Sequence, residues 1–106
     1  MPTFLWQASY TQEGIKGLMK DGGTKRHAAI KEMTEKAGGK LLSMYFAYGE
    51  SDVIGIAEFP DKATALALSM AVNASGAVRF RSTELISPAE MDAAAKKSIA
   101  YRPPGA

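Results

Sequence analysis

Residues 45–52 read YFAYGESD, and residues 53–61 continue as VIGIAEFPD. The first stretch begins with strand-forming residues and reaches Gly49-Glu50, which suits a two-residue hairpin loop with glycine in first place. The second stretch is a strand until Pro60, which closes it because proline cannot donate to a ladder. Asp61 then suits the N-cap of a helix. The sequence therefore predicts strand, tight turn, strand and helix in the middle of the chain.

Strand and helix patterns flank this hairpin on both sides. The predicted elements are, in chain order, a strand over 3–10, a short helix capped by Thr11, a helix over 24–37, strands over 40–48 and 52–59, a helix after Asp61, a strand over 77–85 and a last helix over 88–101. Glycine pairs at 22–23 and 38–39 end the helical stretches before them. The order β-α-β-β-α-β with an extra C-terminal helix is the ferredoxin-like pattern of an α+β fold.

The helix that Asp61 begins has a predicted apolar face of mostly small residues. Its members recur at helical spacing: Ala63, Leu66, Ala67, Met70, Ala71 and Ala74. A face of this kind can pack closely against a sheet. We therefore expect this helix to cover one side of the sheet through these residues.

The last helix has a well-formed start. Ser87 and Glu90 make a capping box, and Pro88 takes the first helical position. We expect this helix to complete a single domain over residues 1–101. Residues 102–106 follow as a tail, because their two prolines prevent a helix.

Both faces of the predicted sheet are apolar, whereas a monomer with one solvated face should show a clean alternation. In the second strand the predicted faces are Leu42, Met44, Phe46 and Tyr48 on one side, and Leu41, Tyr45 and Ala47 on the other. Helices can cover one of these sets, so the other set needs a partner. The simplest partner is a second copy that pairs sheet to sheet about a two-fold axis, which gives a dimeric α/β barrel. The alternative is that the terminal helix folds back over the open face.

Composition and charge exclude several classes of protein. The chain has 106 residues, no cysteine, one histidine and a net charge of +2. Without cysteine there is no disulfide, iron–sulfur cluster or thiolate zinc site, and one histidine cannot build a multi-histidine site, so we expect no metal and no cofactor. There is no long basic block for nucleic acid and no apolar run near the roughly 20 residues of a membrane span. We expect a cytoplasmic protein without a signal peptide.

The hairpin and its surroundings carry a further signal. The relevant positions are Tyr10–Ile15, Lys25-Arg26, Gly38–Lys40, Tyr45, Gly49–Asp52, Pro60-Asp61, Ser75–Arg79, Thr83 and Leu85. Together they resemble the GYD family of small bacterial proteins, in the dimeric α/β-barrel superfamily. The resemblance implies the fold and a homodimer, and it implies no particular reaction. The chain departs from the family at Ser51, where the family motif carries a tyrosine. That tyrosine either takes part in chemistry or packs beside the hairpin.

Three residues are candidates for acid–base chemistry. His27 is the only side chain that normally titrates between pH 5 and 8. Some oxygenases of the superfamily that the chain resembles use a histidine in a cavity, so the resemblance makes His27 a candidate for that role. Tyr45 is a candidate partner for it, and Asp52 after the hairpin is a candidate general base. The structural alternatives are a solvated histidine, a packed tyrosine and an aspartate that bonds local backbone. No spacing of residues singles out a nucleophile.

Two arginines and two aromatic residues are candidates for ligand binding. Arg79 and Arg81 fall on one face of the fourth strand, with its apolar residues on the other. If those apolar residues face the helices, both guanidinium groups point from the open face and can clamp a carboxylate or a phosphate. The alternative is that acidic side chains of neighbouring strands or of the other subunit pair with them. Tyr45 and Trp6 are candidates for an aromatic pocket, although aromatic residues on strands are commonly core residues.

These patterns favour a homo-oligomeric module, dimeric or larger, that binds a small organic ligand, such as an organic anion, at the open sheet face. A second hypothesis is a cofactor-independent oxygenase or isomerase that acts on a small aromatic or polyketide-like substrate through His27 and a tyrosine. A third is a purely structural oligomer in which the partner fills the sheet face. Neither nucleic acid nor a membrane is an expected partner.

Overall fold

The computed structural model describes all 106 residues. Its elements are β1 (Thr3–Tyr10), α1 (Gln12–Asp21), α2 (Gly23–Lys36), β2 (Lys40–Phe46), β3 (Val53–Glu58), α3 (Lys62–Ala74), β4 (Val78–Leu85) and α4 (Pro88–Ala95). The strands form one antiparallel sheet in the order β2-β3-β1-β4. This α+β arrangement is compatible with the ferredoxin-like fold that the element order predicts. None of the helices is long and apolar enough to cross a membrane.

The core lies on the face of the sheet that α2 and α3 cover. Phe4, Trp6 and Phe59 are its buried aromatic residues. Trp6 packs between Phe59 and Phe80, with ring centroids 5.8 and 5.4 Å away. Burying one such aromatic side chain stabilises the fold by about 1.5–3 kcal/mol relative to leaving it in water. These contacts hold the central strand β1 and the edge strand β4 against the helices.

The first crossover contains two helices, as the sequence predicts. Thr11 caps α1, since its side chain accepts a hydrogen bond from the Gly14 amide at 3.3 Å. Gly22 ends α1 with a φ of 81°, in the left-handed region that favours glycine, and its amide donates to the Leu18 carbonyl at 2.7 Å. α2 then begins at Gly23 in a new direction.

The loop between β2 and β3 is longer than the predicted two-residue turn and spans residues 47–52. Asp52 accounts for the difference because it bonds β1. Its amide donates to the Ala8 carbonyl at 2.8 Å, and its carboxylate accepts from the Tyr10 amide at 2.8 Å. These hydrogen bonds tie Asp52 to β1, and the predicted strands over 40–48 and 52–59 are both shorter in the structure.

The predicted faces of β2 are wrong at its start. Leu41 pairs with Ala57 and packs against the core, and Met44 faces the same side, although it lies three positions further along the strand, where regular alternation would place it on the other side. A bulge between Leu41 and Ser43 adds one residue and shifts the alternation. Leu42 sits in this bulge and is 46% exposed.

The predicted face of α3 is also wrong. The buried residues are Ala65 and Leu68, with Val72 packed beside them, whereas Leu66 and Met70 are each 61% exposed. Nine of the thirteen residues of this helix are apolar, and Ala65, Leu68 and Val72 also recur at helical spacing, so hydrophobic spacing does not choose between faces. The N-cap is as predicted, because the Asp61 carboxylate accepts from the Thr64 amide at 2.7 Å, but it sets where the helix begins and not which side meets the sheet.

The last helix starts as predicted and ends early. The Ser87 hydroxyl accepts from the Glu90 amide at 3.1 Å, and the Glu90 carboxylate accepts from the Ser87 amide at 2.9 Å. The hydrogen bond from the Ser87 backbone lowers the pKa of Glu90 below its usual value. The helix ends at Ala95 because little of it packs against the rest of the fold, and short unsupported helices are marginal in water.

Residues 86–106, which we call the C-terminal arm, extend away from the sheet. Every residue of the arm is exposed. The molecule is 55 Å long with a radius of gyration of 17.0 Å, whereas a compact domain of this length has about 13 Å. The arm therefore leaves the open face bare, and the alternative in which the terminal helix covers that face is wrong.

Candidate functional site

The sheet face opposite the helices has an apolar centre and a cationic edge. Leu5 on β1 lies beside Ile56 on β3. Ile54, two positions before Ile56 in β3, is on the same face. Ile54 is 38% exposed. A contiguous apolar patch on a sheet is typical of an interaction surface. This surface, called the open face below, continues onto β4 at Arg79 and Arg81.

Arg79 and Arg81 border a polar groove at the β4 edge of the open face. The groove has a volume of about 370 Å³. Its other lining residues are Gln7, Ser9, Ser51, Asn73 and Phe80. Residues two apart on a strand have Cβ atoms roughly 7 Å apart, so both guanidinium groups can reach one anion. Guanidinium, amide and hydroxyl donors form the set that recognises a carboxylate or a phosphate.

Neither arginine has an acidic partner within its own chain. The ion pairs in the structure join Lys25 to Asp21, Lys36 to Glu32 and Lys62 to Glu84. Glu84 thus bonds a residue at the start of α3, and Asp52 bonds the backbone of β1. The neighbouring strands therefore do not neutralise the arginines, and two positive charges stand free at the groove.

The two aromatic candidates lie apart from the arginines. Trp6 is buried on the helix side of the sheet, so it is a core residue and does not reach the open face. Tyr45 does lie on the open face and is 72% exposed. It stands on β2, at the opposite edge of the sheet, and the three strand spacings between β2 and β4 amount to roughly 14 Å. Tyr45 and Arg81 of one chain therefore lie at opposite edges of the sheet, and Tyr45 does not line the arginine groove.

The acid–base candidates are not brought together either. His27 is exposed on α2, on the helix side of the sheet, whereas Tyr45 is on the open face. Asp52 holds the Tyr10 amide and so takes the structural role that its position after the hairpin also suggested. Within one chain these three residues do not form a site.

Between the sheet and the helices there is a narrow crevice lined mostly by apolar side chains. Arg26 and Tyr10 supply its polar end: the Arg26 Nε donates to the Tyr10 hydroxyl at 3.3 Å, and the guanidinium lies 5.9 Å from the ring centroid. The enclosed volume is about 30 Å³, the share of one water molecule in the liquid. A ligand therefore has room on the surface of the subunit and not inside it.

Sequence reasoning missed the neutral residues of the groove. Gln7 and Ser9 follow Leu5 at alternate positions of β1, so the strand alternation alone places them on the open face. For Asn73, which lies on α3, no pattern in the sequence indicated a place at the groove. Its side-chain amide donates to the Phe80 carbonyl at 3.0 Å and accepts from the Phe80 amide at 2.8 Å, which occupies the free edge of β4.

Comparisons with known proteins give one match. A family model described as the GYD domain matches residues 4–95, which include all four strands and the helices up to the end of α4. No curated protein and no solved structure matches the chain.

Proposed function

The chain belongs to the GYD domain family, and for this member we propose a homo-oligomeric module that binds a small organic anion at the open face of its sheet. The observation that carries the proposal is the pair of unneutralised arginines, Arg79 and Arg81, at a polar groove beside an apolar surface. The arginines bind the anionic group, and the apolar surface contacts a second copy of the chain.

Burial within one chain supports the oligomer. Only 11 of 106 residues are buried, so a single copy leaves most of its apolar surface in water. The open face is the largest sheet surface that no element of the chain covers, and its centre is apolar. Pairing two such faces removes that surface from water and places the arginines at the margin of the contact.

The test uses benzoate and phenyl phosphate as probes, one for each anionic group. Titration to millimolar concentration, followed through the arginine Nε–H signals in NMR spectra, should shift the signals of Arg79 and Arg81. The variants Arg79→Ala and Arg81→Ala should each weaken binding by about tenfold or more, since hydrogen bonds to charged groups contribute about 1.5–3 kcal/mol. His27→Ala is the control, and it should bind as the parent does.

Binding that survives the loss of both arginines would place the ligand elsewhere. An oligomer whose arginine signals respond to neither probe would contradict the anion-binding part of the proposal and favour the purely structural oligomer.

A further inference from the structure

The strand register arranges the open-face residues in rows across the sheet. The first row is Ser43, Ile56, Leu5 and Thr83, and the second is Tyr45, Ile54, Gln7 and Arg81, each from β2 to β4. Both rows have apolar residues near the middle. In the second row an aromatic residue lies at one end and a cation at the other.

Each row can pair with the same row of a second copy when the strand order of that copy runs in the opposite direction. A two-fold axis parallel to the strands, between β3 and β1, places β2 of one copy over β4 of the other. Leu5 then meets Ile56 of the partner subunit, and Arg81 meets Tyr45 of the partner subunit. In the first row apolar residues thus cover apolar residues. In the second row Ile54 lies over Gln7 of the partner subunit, and a guanidinium lies against an aromatic ring, which is a favourable pairing.

The other in-plane axis gives a poorer match. A two-fold axis perpendicular to the strands that passes at Ser82 places each strand over itself in reverse, so that Arg79 meets Leu85 of the partner subunit and Arg81 meets Thr83 of the partner subunit. That arrangement buries a charge against an aliphatic side chain without a counter-charge, which is costly. The complementarity of the rows therefore selects the axis parallel to the strands.

We infer that the anion site is shared between two subunits: Arg79 and Arg81 of one chain bind the anionic group, and Tyr45 of the partner subunit contacts the body of the ligand. This inference rests on the proposed function and names its ligand class, an aromatic carboxylate or an aryl phosphate. The ring of such a ligand stacks on Tyr45, while the arginines pair with its charge. Tyr45 is well exposed and makes no hydrogen bond or ring contact in its own chain, so it is free for this role.

Subunit complementation tests the shared site with benzoate as the probe. Tyr45→Ala and Arg81→Ala homodimers each lack every complete site, so each should bind about tenfold or more weakly than the parent. A heterodimer of the two variants, isolated with two different tags, has one complete site and one empty site. It should bind benzoate with the parent's affinity and about half the parent's capacity.

Native mass spectrometry of the same samples reports whether each variant is still a dimer. Tyr45→Phe is a further control, because it keeps the ring and should bind like the parent.

Two outcomes overturn the inference while the proposed function stands: a Tyr45→Ala homodimer that binds as the parent does, or a heterodimer that binds no better than either variant. If the Tyr45→Ala chain is monomeric, Tyr45→Leu replaces it, because leucine keeps the apolar contact and removes the ring. A parent protein that binds neither benzoate nor phenyl phosphate contradicts the proposed function itself, and the shared site with it.

Discussion

Asp52 links the hairpin loop to the central strand. Its carboxylate is the acceptor for the Tyr10 amide, at a point where β1 has passed the end of its pairing with β3. Asp52→Ala leaves that amide without an acceptor in a part-buried position, which costs about 1–3 kcal/mol. Asp52→Asn keeps a side-chain oxygen and should lose much less. Urea unfolding of the two variants measures the difference, and equal stabilities would show that the hydrogen bond contributes nothing.

Ser51 stands where the family resemblance implies a tyrosine, and its side chain lines the groove beside the arginines. The residue is 7% exposed, so a larger side chain has to extend into the groove. Ser51→Tyr should therefore occupy space that the ligand uses and weaken benzoate binding. Ser51→Ala is the control, since it leaves the groove open. The dissociation constants of both variants check this, and tighter binding by Ser51→Tyr would mean that the family tyrosine serves the ligand.

Strand alternation predicts which residues share the arginine groove, but it does not predict distance across the sheet. The alternation places Arg79 and Arg81 on one face, as the structure confirms. It also groups Tyr45 with them, although strand order puts β2 and β4 at opposite edges. Trp6 shows the same limit, because aromatic character alone does not tell which face meets the helices. Residue type and spacing gave the candidates, and the pairing of strands decided which of them meet.

At the scale of elements, α3 depends on its N-cap. The hydrogen bond from the Thr64 backbone lowers the pKa of Asp61 below its ordinary value of 3.8. A carboxyl group with a lowered pKa stabilises the fold above its unfolded-state pKa, and this contribution is lost as the pH falls through the folded-state value. The parent should therefore lose stability relative to Asp61→Asn below about pH 3.8. Thermal melts of the two proteins from neutral to acidic pH test this, and parallel curves would contradict it.

The order of elements was predictable, whereas some of their faces were not. Turn and cap signals such as Gly22 and the Ser87 capping box carry local information, and the corresponding boundaries are confirmed. The bulge after Leu41 leaves no mark in the sequence, because an extra residue in one strand is defined by its partner. The buried face of α3 was ambiguous because its exposed side is also apolar, with Leu66 and Met70 in solvent.

At the scale of the whole molecule, the open face should hold two copies together. Ile54 lies near the centre of that face, so Ile54→Arg places a charge inside the contact between the two sheets. Burying an unpaired charge is costly, and the variant should be monomeric while it keeps its fold. Met19→Arg is the matched control, because Met19 is an exposed apolar residue on α1, away from the sheet. Sedimentation of the two variants checks this, and a dimer that tolerates Ile54→Arg would move the contact to another surface.

The central claim is that the open face of one copy covers that of another. Native mass spectrometry of the freshly purified protein, repeated after denaturation, tests it most directly. The account predicts a mass of two chains or an even multiple, which falls to the mass of one chain on denaturation. A single-chain mass under native conditions would contradict the account, because the apolar centre of the sheet would then face water without a partner.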